Sequence, residues 1–184
     1  MAGFLMVQIY VQLLWQDIDK DREFLFNAGV EAVLTLLGAM SAFLAGFLTS
    51  KTFQKYDMWI LMLCSLLQGI FIVVSSQTTS IWVAYAMYVT FGVFYSFMIT
   101  VASATVAQNL ADDSFALIFG INTLVALLFQ SVLTVVVITW LELNTRDQFL
   151  VYGGYFIALS VIYLIATIVK LVFCRNLDEY SVRD

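Results

Sequence analysis

Glu31 is the one acidic or basic side chain that falls inside a long apolar run of this sequence and away from the end of the run. A charge near the bilayer centre costs roughly 2.5–3.5 kcal/mol on insertion scales, so such residues face a bundle interior and mark a pathway for a solute or a proton. A second reading is open. Asn27 is a natural N-cap, which sets Glu31 in or just after the first helical turn, about 6 Å along the axis. An acid there simply favours the positive end of the helix dipole. The residues alone leave these readings balanced.

Two successive apolar runs each add a polar strip. Ile81–Leu110 carries Tyr85, Tyr88, Thr90, Tyr95, Ser96, Thr100, Ser103, Thr105 and Gln108; the next run holds Asn122, Thr123, Gln130, Ser131 and Thr134. Such strips line a watery cavity, or they join helices through side-chain bonds of about 0.6 kcal/mol each. For any single residue the joining role is the better account; both strips together, with Glu31, make a cavity competitive. Every Lys and Arg lies in a loop or at a helix end. The lining on offer is therefore a carboxylate, amides, hydroxyls and aromatic faces. That suits a cationic or neutral aromatic solute, through ion pairing and cation–π contact, and not a dianion.

Catalytic inventories come up nearly empty. The chain has no His, no Gly-rich phosphate loop and no CxxC pair, so metal sites, haem ligation and His-based nucleophilic catalysis have no residues to work with. Asp17, Asp19, Asp21 and Glu23 lack the Gly and distal Glu of a calcium loop and read as a solvated acidic segment. Cys64 reads as a small buried hydrophobe, and Cys174 at a helix end as an ordinary surface residue rather than a lipidation site. No enzyme activity, cofactor or metal is expected.

The elements that must position these residues are membrane helices. Hydrophobic residues make up 62% of the chain and charged ones 11%, where a soluble domain carries nearer a quarter. Between Asp57 and Asp112 there is no Asp, Glu, Lys or Arg. Spanning needs about 20 apolar residues, and helices are expected over about 28–49, 58–75, 81–110, 114–140 and 149–173. Residues 1–15 form a stub too short to cross comfortably, without the basic start and cleavage pattern of a signal peptide. Short joints imply one antiparallel all-α bundle, residues 1–174, followed by a tail over 175–184. The ridge Gly38, Ala42, Gly46 permits close helix contact, read as bundle packing before a moving pivot. Basic residues divide as Lys51, Lys55, Lys170, Arg175 and Arg183 on one side against Lys20, Arg22 and Arg146 on the other, which places the carboxyl terminus in the cytoplasm. The sequence pI near 4.5 argues against a nucleic-acid partner.

Five strings then carry a family resemblance. FALIFGINTLVALLFQ from Phe115 resembles the eleventh helix of the reduced folate carrier and thiamine transporter family, and QFLVYGGYF from Gln148 the start of its last helix. YVQLLW from Tyr10 resembles the end of its seventh helix, NAGVEAVLTLLGA from Asn27 its eighth, and IWVAYAMYVTF from Ile81 its tenth. They fall in order and cover all but the last residues.

The resemblance implies a major-facilitator fold, with this chain as the carboxyl-terminal six-helix bundle and a truncated first helix. It implies vitamin transport by alternating access in the plasma membrane, with substrate held between two bundles. It also tips Glu31 towards a binding role and nominates Tyr10, Gln12, Tyr95 and Gln130 as cavity contacts. Asn122 is expected to be a helix–helix anchor, beside the structural Asn27, Gly38, Ala42 and Gly46. Folate-carrying members are similar but have an Arg at Gly92 and a Lys at Gln130, so a thiamine-like vitamin is preferred over a folate-like one. Ile9, where thiamine-carrying members have Asn, and Gly92, often Arg there too, depart from the thiamine pattern. The expected partners are the vitamin, lipid, and a missing amino-terminal half or a full-length relative. A non-transporting truncated chain that binds or regulates such a relative is the alternative.

Overall fold

The computed structural model describes residues 1–19, 26–48, 57–108 and 115–181. These residues form six helices and no strand: α1 (Ala2–Ile18), α2 (Asn27–Leu48), α3 (Asp57–Gln77), α4 (Ile81–Gln108), α5 (Phe115–Thr134) and α6 (Thr145–Ser181). A π-helical stretch, Val135–Trp140, prolongs α5. All but α1 are long and apolar enough to cross a membrane. At 17 residues α1 is about 26 Å long, a little short of the hydrocarbon layer. The protein is an all-α integral membrane protein.

The helices outrun their apolar cores where polar residues continue the turn. α1 takes in Gln16–Ile18, expected as loop, and α6 starts at Thr145, not Phe149. Asp147 lies in the first turn of α6, on the favourable end of the dipole, and Gln148 Nε2 donates to the Leu143 carbonyl at 2.8 Å. α6 also runs on through the expected tail to Ser181, 37 residues in all. The acidic segment over Asp21 and Glu23, the joint carrying Lys51 and Lys55, and the turn at Ala111–Asp113 lie outside the described residues, as do Lys20, Arg22 and Arg183.

α1 runs through the core rather than along its edge. Met6, Val7, Val11, Leu14 and Trp15 are all buried in one cluster with Leu34, Ile72, Tyr88, Phe91, Phe149 and Phe156 from the other helices. Around it, α2 pairs with α4 and α3 with α6. The α3–α6 seam is tight. A Cβ at Gly153 would stand 2.6 Å from Val73 Cγ2 and 3.1 Å from the Gly69 carbonyl, and one at Gly69 would meet the Gly153 carbonyl at 3.0 Å. Ser65 Oγ donates to the Phe156 carbonyl at 2.8 Å, and Ser160 Oγ to that of Met62 at 3.1 Å. α5 stands apart, packing on α1 and exposing Leu117, Leu124, Leu128 and Val132.

The α2–α4 contact shifts the expected ridge by one position. Leu34, Gly38, Ser41 and Ala45 are its buried members, while Gly46 is exposed with open space around it and Ala42 is half-buried. A Cβ at Gly38 would come 2.9 Å from Ser96 Oγ, and Ser41 Oγ donates to the Val93 carbonyl at 3.1 Å. The helical repeat of 3.6 turns a strict spacing of four away from the neighbour, which is why Gly46 leaves the seam.

Candidate functional site

Glu31 lies one turn into α2, facing α4. Tyr88 Oη donates to Glu31 Oε1 at 2.8 Å, and the second carboxylate oxygen takes no hydrogen bond among the described residues. One turn nearer the helix starts, Tyr85 Oη donates to Asn27 Oδ1 at 3.2 Å. Asn27 is thus the first residue of α2 with its side chain bonded across to α4, while the carbonyl before it, that of Phe26, accepts the Val30 N–H. Trp15 stands edge-on to both phenols, at 4.8 Å from Tyr85 and 5.2 Å from Tyr88. All three rings are buried, whereas Glu31 is only half-buried. The aromatic faces expected to meet a cation here are occupied by one another; the carboxylate is the group left to do so.

The other expected contacts lie at different places. Tyr95 is seven residues beyond Tyr88 on α4, about 10 Å along the axis, with one face covered by Phe4 at 3.9 Å and 6°. It lines a cavity of about 330 Å³ with Asn122, Phe129, Tyr155 and Tyr163. Asn122 is exposed on that wall and makes no hydrogen bond to another helix among the described residues, in place of the expected anchor. Tyr10 is half-buried at the edge of the core, 6.4 Å from the Tyr152 ring. Gln130 is half-buried on α5, its side-chain carbonyl oxygen buried without a partner among the described residues. Neither Glu31 nor Gln130 lines the cavity that holds Tyr95.

Gln12 belongs to a feature that the spacing hinted at. Gln8, Gln12 and Gln16 lie four apart on α1, and all three are exposed while the opposite face is buried. Amides in hydrocarbon without partners are costly, several kcal/mol each on alkane scales. The exposed face of α1 sets these amides beside Ile9 and Leu13, so it is mixed where the surface of α5 is apolar. The amide row is its part suited to water or to a polar partner.

Many hydroxyls of the two polar strips bond back within their own helix, although Thr134 also donates to Met6 Sδ on α1 at 3.2 Å. Thr90, Thr100, Thr105, Thr123, Ser131 and Thr134 each donate to the carbonyl four residues back in their own helix, at 2.7–3.0 Å. Where water is scarce, that local bond satisfies the hydroxyl most cheaply. Among the described residues no cluster of His, Cys, Asp and Glu is built to hold a metal ion.

Sequence reasoning missed Tyr88 and Trp15 as a unit. The signal was present: Asn27 and Glu31 are four apart on one helix, Tyr85 and Tyr88 three apart on another, so two acceptors and two phenols match turn for turn.

Membrane-length helices, an acid near the end of one of them and a row of amides facing away from the core are the build of a membrane solute carrier rather than of an enzyme. The chain belongs to the reduced folate carrier family, whose profile matches residues 1–151. It is 39% identical over 184 residues to thiamine transporter 1 of Mus musculus, covering 98% of this chain and 37% of the relative. It is 37% identical to folate transporter 1 of Caenorhabditis elegans, covering 98% of this chain and 40% of the relative, and 32% identical to the reduced folate transporter of Homo sapiens, covering 89% and 29%. The chain therefore spans well under half the length of these relatives.

Proposed function

We propose that this bundle forms one wall of a central cavity through which a plasma-membrane carrier moves thiamine, or a similar cationic or neutral aromatic vitamin, by alternating access. The observation that carries the reading is Glu31, a carboxylate in an apolar helix with one oxygen held by Tyr88 and the other without a partner among the described residues. Glu31 attracts the cation, and Gln12 and Gln130 offer amides to its polar edge. Tyr10 and Tyr95 contribute ring edges at the margin of the core. The amide row of α1 turns towards the cavity and the apolar face of α5 towards lipid. The carboxyl terminus lies in the cytoplasm.

Thiamine is preferred to folate on two grounds. No Lys or Arg among the described residues sits where it could meet an anion inside the bundle. Gln130, where the family resemblance puts a Lys in folate-carrying members, offers an amide on α5 instead of a cation.

The test is uptake by the protein carrying this bundle, expressed in cells stripped of their own vitamin carriers. Labelled thiamine is expected to enter saturably and labelled reduced folate poorly. Glu31→Gln is expected to lower thiamine uptake about tenfold or more, with surface abundance unchanged. A preference for folate would overturn the substrate, and unchanged uptake in the variant would remove the carboxylate from the mechanism. A second reading, a non-transporting chain that docks on a full-length relative, draws on the exposed amide row of α1. It would gain if the chain co-purified with such a carrier and altered its rate while moving nothing itself.

A further inference from the structure

We propose that Tyr88 is the positioning residue of this site: it fixes the direction of the Glu31 carboxylate so that the unbonded oxygen meets the cationic part of the substrate. The inference rests on the reading of Glu31 as the substrate-facing acid.

A glutamate side chain turns about three torsions, and a free one must be ordered each time it captures a cation. Here the ordering is done beforehand. Tyr88 is 1% exposed, so its hydroxyl has no competing water, and its bond to Oε1 is short at 2.8 Å. The ring cannot swing away, because Trp15 stands against it at 5.2 Å and 85°. A buried donor that is itself held by packing is the arrangement that keeps a binding group within a narrow geometry. With Oε1 committed, Oε2 is the oxygen free to pair with a positive charge. A bond from a neutral phenol leaves the full negative charge on the carboxylate, where a Lys or Arg partner would have cancelled it. Among the described residues no such cation bonds Glu31; the nearest candidate in role, Arg146, is committed to Asp17 at 3.0 Å.

A purely structural role explains less. The α2–α4 pair is already fastened by Tyr85 to Asn27 at one level and by Ser41 to the Val93 carbonyl at another. Tyr88 adds a third tie between them, to a group whose charge makes it a costly choice for packing alone.

The experiment measures labelled thiamine uptake by the protein carrying this bundle, with Tyr88→Phe, Tyr85→Phe, Glu31→Gln and the Glu31→Gln/Tyr88→Phe pair. Tyr88→Phe keeps the ring and its contact with Trp15 and removes only the hydroxyl. It is expected to raise KM about tenfold while maximal rate and surface abundance stay within about twofold. Tyr85→Phe, which loses the equivalent bond to Asn27, should leave KM unchanged. The double variant should be no worse than Glu31→Gln alone, since without the carboxylate charge there is no cation contact left for the hydroxyl to position. If Glu31→Gln abolishes uptake but Tyr88→Phe leaves KM at the parent value, the positioning role fails and the acid's role stands. Additive losses in the double variant, or a fall in surface abundance with KM unchanged, would equally overturn it by making the phenol a packing group. If Glu31→Gln is silent, both readings fall together.

Discussion

The Glu31 carboxylate and the Gln130 amide show two ways for a polar group to survive in an apolar bundle. Glu31 is half-buried and accepts a hydrogen bond from a phenol; Gln130 keeps a buried carbonyl oxygen with no partner among the described residues. A buried acceptor left bare costs about 1–3 kcal/mol, which a ligand donor would recover on binding. Replacing that amide by a cation changes the sign of the wall. Gln130→Lys is expected to lower thiamine uptake by about tenfold and to raise the ratio of folate to thiamine taken up, read by competing the two labelled vitamins. Glu31 itself was legible in the sequence, as a lone acid in an apolar run. Its partner was marked only by matched spacing on two helices, because a tyrosine in a polar strip looks the same whether it points at water, a ligand or a neighbouring helix.

At the scale of the element, the α3–α6 seam allows a paired comparison between adjacent glycines. Gly153 faces the seam, where an added methyl would meet Val73 and the Gly69 carbonyl; Gly154 has open space around it. Gly153→Ala is expected to destabilise by about 1–3 kcal/mol through overpacking. Gly154→Ala should be neutral or stabilise by up to about 1 kcal/mol through helix propensity. Thermal unfolding in detergent separates the two. The apolar runs located every helix, since a lipid-spanning segment needs length and hydrophobicity before anything else. They failed at ends: Gln16–Ile18 continue α1 up to the Asp19 N–H bond to the Trp15 carbonyl, and Thr145–Gln148 open α6 with Asp147 on the favourable end of the dipole. The seams were half legible. Spacing by four singled out Gly38 and wrongly added Gly46, while Ser65 with Gly69, also four apart, passed unremarked although it marks the close approach of α3 to α6.

For the molecule as a whole, burial separates three kinds of surface: the core around α1, the apolar flank of α5, and the amide row of α1. The row is expected to be reachable from water. With Cys64 and Cys174 replaced, Gln12→Cys should react with a membrane-impermeant thiol reagent and Ile121→Cys on α5 should not, and thiamine should slow the former. Equal reactivity would mean that both faces meet the same medium. The end of the bundle nearest Glu31 is tied by Arg146, which pairs with Asp17 at 3.0 Å and reaches the Thr78 carbonyl at 3.4 Å, linking α1, α6 and the α3–α4 turn. Both side chains of the pair are 35% exposed, so Arg146→Ala is expected to cost no more than about 1 kcal/mol. The overall bundle followed from composition. Which face met what did not, since an exposed glutamine and a buried one are the same letter.

Trp15 gives the chain an optical reporter. Trp59, Trp82 and Trp140 are exposed, and Trp15 alone among the four tryptophans is fully buried, its indole N–H without a partner among the described residues and its ring against Tyr85 and Tyr88. An indole so shielded emits at shorter wavelength than its exposed counterparts and escapes quenching by aqueous iodide. Any shift of α2 against α4 that disturbs the phenol pair would alter that emission directly. With the other three tryptophans changed to Phe, a single fluorescence trace could follow the surroundings of the acid during substrate capture, with no label attached.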